Sequence, residues 1–162
     1  MKTFCWSAMG AVFSRSCWLG ALVIGIALPA FASLGGDAST VEADRAQMNA
    51  LVKLNQTEKY TVHEIQVPNG TVVREFVSPA GRVFGVAWQG PSIPDFHQVL
   101  GTYFPQYLSA AKAARAARRG RAPINIQQPG LVVQNTGHMR AFAGRAYDPG
   151  LLPEGVSAND VR

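Results

Sequence analysis

The chain has little of what usually carries chemistry. Its two cysteines, Cys5 and Cys17, sit near the start of a 162-residue sequence, so everything beyond them lacks a disulfide, a thiolate nucleophile and a cysteine metal ligand. Histidine is nearly as scarce. His63, His97 and His138 are each more than thirty residues apart, and no pair has the close spacing of a metal site. A serine-hydrolase elbow, a phosphate-cradling glycine loop and a paired-cysteine motif are all missing. No apolar run reaches the ~20 residues that a membrane-spanning helix needs. Stacking aromatics do not interleave with the basic residues, which argues against a nucleic-acid partner.

What is present begins with a compositionally distinct first segment. Lys2 and Arg15 are its only charges, and CWLGALVIGIALPAFA follows, 16 residues ending in Ala30-Phe31-Ala32. This pattern predicts a secretory signal peptide over 1–32, cleaved after Ala32, because small residues at Ala30 and Ala32 fit the peptidase pocket. A membrane anchor is the competing reading, but the run is short and contains Pro29. Cleavage would leave 130 of the 162 residues, enough for one domain with a self-sufficient core and with no transmembrane segment. It would also lower the basic count from 15 to 13 against 10 acidic residues, a net of +3. Five of those cations, Lys112, Arg115, Arg118, Arg119 and Arg121, cluster within ten residues, so the basicity is one patch.

Residues 33–58 are expected to form a flexible leader, Ser33–Ser39, and an N-terminal helix. Ser39-Thr-Val-Glu42 offers a capping box, and the helix is predicted from Thr40 to about Leu54. The main α+β domain is then expected over 59–162.

The most informative stretch is VPNGTVVREFVSPAGRVFGVAW, residues 67–88. Proline suits position i+1 of a type I turn, and glycine supplies the left-handed residue closing a three-residue hairpin with a bulge. Pro68-Asn69-Gly70 and Pro79-Ala80-Gly81 both fit. A two-residue Asn69-Gly70 turn competes, but it would ask Pro68 for an amide proton that proline lacks. The three-residue loops pair Val67 with Thr71 and Ser78 with Arg82, giving a meander of Tyr60–Val67, Thr71–Ser78 and Arg82–Trp88. Alternation puts Tyr60, Val62, Val72, Phe76, Phe84, Val86 and Trp88 on one face, with Glu64 opposite Arg74. The other face receives Ile65, Val67, Val73, Val77, Val83 and Ala87, with His63 opposite Glu75 and Gly85 beside it. The aromatic face is expected to be the core.

Downstream, Ser92 is the expected cap of a helix whose apolar face is Phe96, Val99, Leu100 and Tyr103. Pro105 interrupts it, and a second helical stretch, Pro105–Arg119, stops at Gly120. After Pro123 two or three further strands are expected, with a Pro129-Gly130 turn and an Asn135-Thr136-Gly137 hairpin. Leu151, Leu152 and Val156 should pin the tail. The fold class is therefore α+β: an antiparallel sheet of five to six strands, the three-stranded meander plus a C-terminal hairpin, packed on its aromatic face by helices. A closed β-barrel plugged by a helix is the alternative.

Two groups of residues are candidate sites. His63 and Glu75 could act as an acid–base pair, since a carboxylate across the ladder orients an imidazole; the plainer reading is a charge pair contributing about 0.2–1 kcal/mol to the sheet. His138 or Arg140 would complete such a site. Lys112, Arg115 and Arg119 share one helical face and could grip an anionic surface or an acidic partner, or serve only as a solvated helix end. No metal and no cofactor is expected.

The segments YTVHEIQVPNGTVVREFVSPAGRVFGVAWQGP, QQPGLVVQNTGHMRAFAGRAY and LLPEGVSANDVR together resemble the bacterial family DUF2844 over nearly all of the chain after residue 32. The resemblance implies a small exported protein of Gram-negative bacteria and transfers no catalytic residue. The expected role is a non-enzymatic binding or accessory protein of the periplasm, or a secreted one, acting on an envelope or secreted protein partner. The alternative is a small periplasmic enzyme using His63 and Glu75.

Overall fold

The computed structural model describes residues 33–37, 51–117 and 125–162. The expected signal peptide, residues 40–50 of the expected N-terminal helix, and Arg118, Arg119 and Arg121 lie outside them. Seven strands form one antiparallel sheet: β1 (Leu51–Gln56), β2 (Thr61–Gln66), β3 (Val72–Val77), β4 (Val83–Gly90), β5 (Ile126–Gln128), β6 (Leu131–His138) and β7 (Ala141–Tyr147). Their spatial order is β1-β2-β3-β4-β7-β6-β5. Among the described residues the sheet is open, with β1 and β5 as edges, rather than a barrel. Between β4 and β5 lie α1 (Phe96–Leu100), a 3-10 turn at Gly101–Tyr103 and α2 (Phe104–Ala117).

The meander follows the turn chemistry. Val67 N donates to Thr71 O at 2.9 Å and Ser78 N donates to Arg82 O at 2.8 Å, closing both three-residue loops. Gly70 and Gly81 supply the left-handed residues at φ 87° and 76°. Both registers expected from the first hairpin hold, with His63 opposite Glu75 and Glu64 opposite Arg74.

The second hairpin departs from simple alternation. Val77 pairs with Val83, but Phe76 pairs with Gly85, so one extra residue sits in β4. This bulge reverses the facing of everything after it. Phe84 stays beside Phe76 and Tyr60, with ring centroids 5.8 to 6.1 Å apart. Val86 and Trp88 turn to the opposite face, and Glu75 faces Val86 across the ladder rather than Gly85.

The consequence is two cores, not one. On one face Ile65, Val73, Val83, Val86, Trp88, Leu131, Val133 and Ala146 pack against Val99, Leu100, Tyr107 and Ala111 of the helices. Helix packing is thus on the face opposite the Tyr60–Phe76–Phe84 cluster, correcting the expectation that helices cover the aromatic side. That cluster is covered by the C-terminal tail, through Leu151, Leu152, Val156 and the fully buried Val161.

Other boundaries also move. The strand count is seven because Leu51–Gln56, expected as the end of a helix, pairs with β2 from Leu51↔Gln66 to Gln56↔Thr61. Tertiary pairing there overrides a local helix signal. Ser33–Asp37 is built into the domain instead of forming a flexible leader. Leu34 is fully buried, its amide donates to Val99 O at 3.1 Å, and Gly35 N donates to Val83 O at 2.8 Å. Asp95, not Ser92, caps α1, accepting from His97 N at 2.8 Å. Ser92 instead bonds Asn69 and Thr71 of the first hairpin. The last hairpin turns at Met139-Arg140, with His138 opposite Ala141 and Arg140 at φ 65°, two residues beyond the expected Asn135-Thr136-Gly137 bend.

Candidate functional site

The row of side chains containing the expected acid–base pair runs across the helix-packed face: Leu54, His63, Glu75, Val86, Ala146, Val133 and Ile126. Exposure falls steeply along it, from 63 % at Leu54 through half-buried His63 to 2 % at Glu75 and none at Val86. The register therefore brings His63 and Glu75 together and sets the carboxylate at the rim of an apolar core. A carboxylate held there must have its charge compensated, which ties Glu75 to the packing of the face as much as to any reaction.

The proposed third group does not converge on the pair. His138 lies on β6, five residues from Val133 of that row, and β6 is four strands from β2. At ~3.4 Å per residue and ~4.8 Å per strand that is on the order of 25 Å from His63. Arg140 occupies the exposed turn beyond it. Glu64 and Arg74 meet on the opposite face, Arg74 Nε to Glu64 Oε2 at 2.8 Å, with each side chain 30 % exposed.

A cleft of about 200 Å³ opens elsewhere, between the first hairpin and α1, lined by Val67, Thr71, Val73, Ile93, Asp95 and Gln98 among others. It is smaller than the ~300–1,000 Å³ of drug-sized ligand sites. Its polar groups are largely engaged in structure: Asn69 Oδ1 accepts from Thr71 N, and Asp95 caps α1. Neither His63 nor Glu75 lines it.

A short, largely buried polar contact carries no signature in the residue pattern. Tyr103 Oη donates to Asp148 Oδ2 at 2.5 Å, and Gly150 N donates to Asp148 Oδ1 at 2.8 Å. Asp148 is 9 % exposed. Burial, the bond to Asp148 and the Asp148 charge push the Tyr103 phenol up to about 12, against an opposing effect of Arg82. A phenol held protonated in this way is a donor, not a nucleophile. The pair ties the turn after α1 to the end of β7. Its residues are 45 apart, with no motif linking them, so only the fold could reveal it.

The cationic helix face is exposed as expected at Lys112 and Arg115, both on α2; Arg119, its third member, is outside the described residues. Ala111, one turn before Arg115 on α2, is buried against the sheet. Among the described residues no group of three His, Cys, Asp or Glu side chains is arranged to hold a metal ion, and no helix is long and apolar enough to cross a membrane. No curated protein and no solved structure matches the chain. A family model does match, over residues 30–161, and that span takes in the Ser33–Asp37 strap, the sheet, both helices and the tail through Val161: the chain belongs to DUF2844, described as a protein of unknown function.

Proposed function

We propose that this protein is exported to the periplasm, or secreted, and acts there as a non-enzymatic binding or accessory protein of the cell envelope. The observation that carries the non-enzymatic reading is the row through His63 and Glu75. It descends into the packed side chains of the helix-side core, with Glu75 2 % exposed, whereas the β1 edge and the Lys112–Arg115 face of α2 are exposed to a partner. Export is supported by the built-in start of the domain. Ser33, the residue that cleavage after Ala32 would leave first, is 8 % exposed and begins the strap whose Leu34 fills the core. The test is fractionation of the native host with mass measurement of the purified chain. A periplasmic or secreted species beginning at Ser33 is expected, and it should retain envelope partners on affinity capture that Lys112→Glu/Arg115→Glu loses. An intact residue 1–32 segment in a cytosolic species would overturn the assignment.

The register alone favours a second reading, a small periplasmic enzyme with His63 and Glu75 as its acid–base pair. It expects small molecules from the envelope fraction to shift the His63 ring signals in NMR spectra. Unmoved signals across such fractions would remove it.

A further inference from the structure

The two edges of the sheet are unequal. β5 has three residues, and the loop leaving it is tied to α2 through Gln106 Nε2, which donates to Pro129 O at 2.9 Å. β1 has six residues, LVKLNQ, with no proline, no glycine and one charge, Lys53. Natural edges are usually blunted by shortness, proline, bulges or inward charges, because unpaired backbone groups template further strands. Among the described residues β1 carries little of this protection, and its Leu51 and Leu54 are 78 % and 63 % exposed.

We propose that β1 pairs antiparallel with β1 of a second copy of this chain about a two-fold axis at Leu54, extending the sheet across the pair. Symmetry restricts the choice. A two-fold axis normal to the sheet keeps each face continuous and sets one residue against its own copy. An axis at Lys53 would oppose two ammonium groups, which is destabilising. An axis at Val52 or Asn55 shortens the ladder, and at Val52 it leaves Leu54 outside. With Leu54 on the axis, residues 52–56 of each strand pair, Leu54 meets Leu54, Lys53 meets Asn55 and Val52 meets Gln56. Val52 packs on the helix-side core and Leu54, two residues on, shares its face. The His63–Leu54 row of one copy then runs into the Leu54–His63 row of the other, covering the exposed leucine and flanking His63. A contact of five residues per strand is well below the ~1,200 Å² of stable complexes, so the association is weak and concentration-dependent.

This names an occupant for the edge invoked above and rests on that reading only in placing binding at β1. Where the chain resides does not enter, so failed envelope capture leaves it standing. Directly opposed residues of an antiparallel pair have Cα atoms ~4.5–5.5 Å apart, within the ~4.4–6.8 Å that a disulfide spans. The experiment is oxidative cross-linking of the full chain with Cys5→Ser and Cys17→Ser, as the cell processes it, at matched concentrations. Leu54→Cys should form disulfide dimers at least ten times faster than Leu51→Cys, which lies outside the ladder. In the unmodified sequence sedimentation should show a dimer appearing with concentration, and Leu54→Lys should abolish it with an unchanged circular-dichroism spectrum. Equal cross-linking at 51 and 54, or a chain that stays monomeric at several hundred micromolar, overturns the proposal. So does a monomeric chain whose β1 instead takes up an extended segment of another protein.

Discussion

Replacing Tyr103 by Phe removes a hydrogen bond that links the helical layer to the end of β7. The hydroxyl lies 2.5 Å from Asp148 Oδ2, and the carboxylate is 9 % exposed, so its removal leaves that oxygen without its donor in a poorly solvated place. Bonds to charged groups contribute about 1.5–3 kcal/mol. The half-buried position of Tyr103 argues for the lower end, about 1.5 kcal/mol. With ~2.1 cal/mol/K of unfolding entropy per residue, a domain of ~130 residues should lose about 5–6 °C in Tm at pH 7. The pH dependence carries the sharper test. The folded-state pKa of Tyr103 is raised from 10.0 to about 12, so the stabilisation is complete below pH 10 and is lost as pH rises from 10 to 12. Thermal melts of both proteins followed by circular dichroism should therefore show a constant gap from pH 7 to 9.5 that narrows above pH 10. No gap at pH 7, or a gap undiminished at pH 11.5, would refute the account of this contact.

Three further outcomes follow from the packing. Leu34→Ala should cost about 2–5 kcal/mol in urea denaturation, because Leu34 is fully buried; a change under 0.5 kcal/mol would mean that the N-terminal strap does not dock. At Gly144 an added Cβ would fall 2.6 Å from Trp88 Cε2 and 2.7 Å from Gln134 O, so Gly144→Ala should destabilise by about 1–3 kcal/mol and shift the Trp88 fluorescence, and a neutral result would contradict the ring's position. Asp160 has a lowered pKa because the Ser157 backbone and side chain both bond it, so the closing turn at 158–160 should be fully protected above the ordinary carboxylate pKa of 3.8 and loosen as pH falls below it. Amide exchange at Ser157 reads this out, and Asp160→Asn should remove the pH dependence.

The parts of the fold legible from residues alone were those fixed by local chemistry. Proline cannot donate and glycine accepts a positive φ, so the two loops at 68–70 and 79–81 followed from the sequence, and with them the pairings Val62–Phe76, His63–Glu75 and Glu64–Arg74. The tail anchors Leu151, Leu152 and Val156 were legible for a similar reason, as apolar residues in a segment otherwise made of glycine, proline and polar groups. What escaped depends on distant partners. Leu51–Gln56 alternates as well as it coils, and only the presence of β2 beside it decides for a strand. Ser92 is a good cap by type, but the first hairpin brings Asn69 and Thr71 to its hydroxyl, and Asp95 takes over the helix. Tyr103 and Asp148 meet only after seven strands have been ordered.

The bulge in β4 has the largest reach of these non-local features. Strict alternation would have put Phe76, Phe84, Val86 and Trp88 on one side, a single aromatic core with the other face left half polar. One additional residue at Phe84–Gly85 sends Val86 and Trp88 to the side of Ile65, Val73 and Val83, where Trp88 meets Phe96 at 5.2 Å and Phe96 meets Tyr107 at 5.1 Å. That exchange gives the helices an apolar floor to pack on. It also leaves behind a compact patch of Tyr60, Phe76 and Phe84 sized for the tail. Gly85 completes the arrangement, since a Cβ there would lie 2.9 Å from a Val161 methyl group. The same exchange fixes the setting of Glu75. Paired with Val86 instead of Gly85, it has a branched, fully buried apolar neighbour in place of a bare backbone.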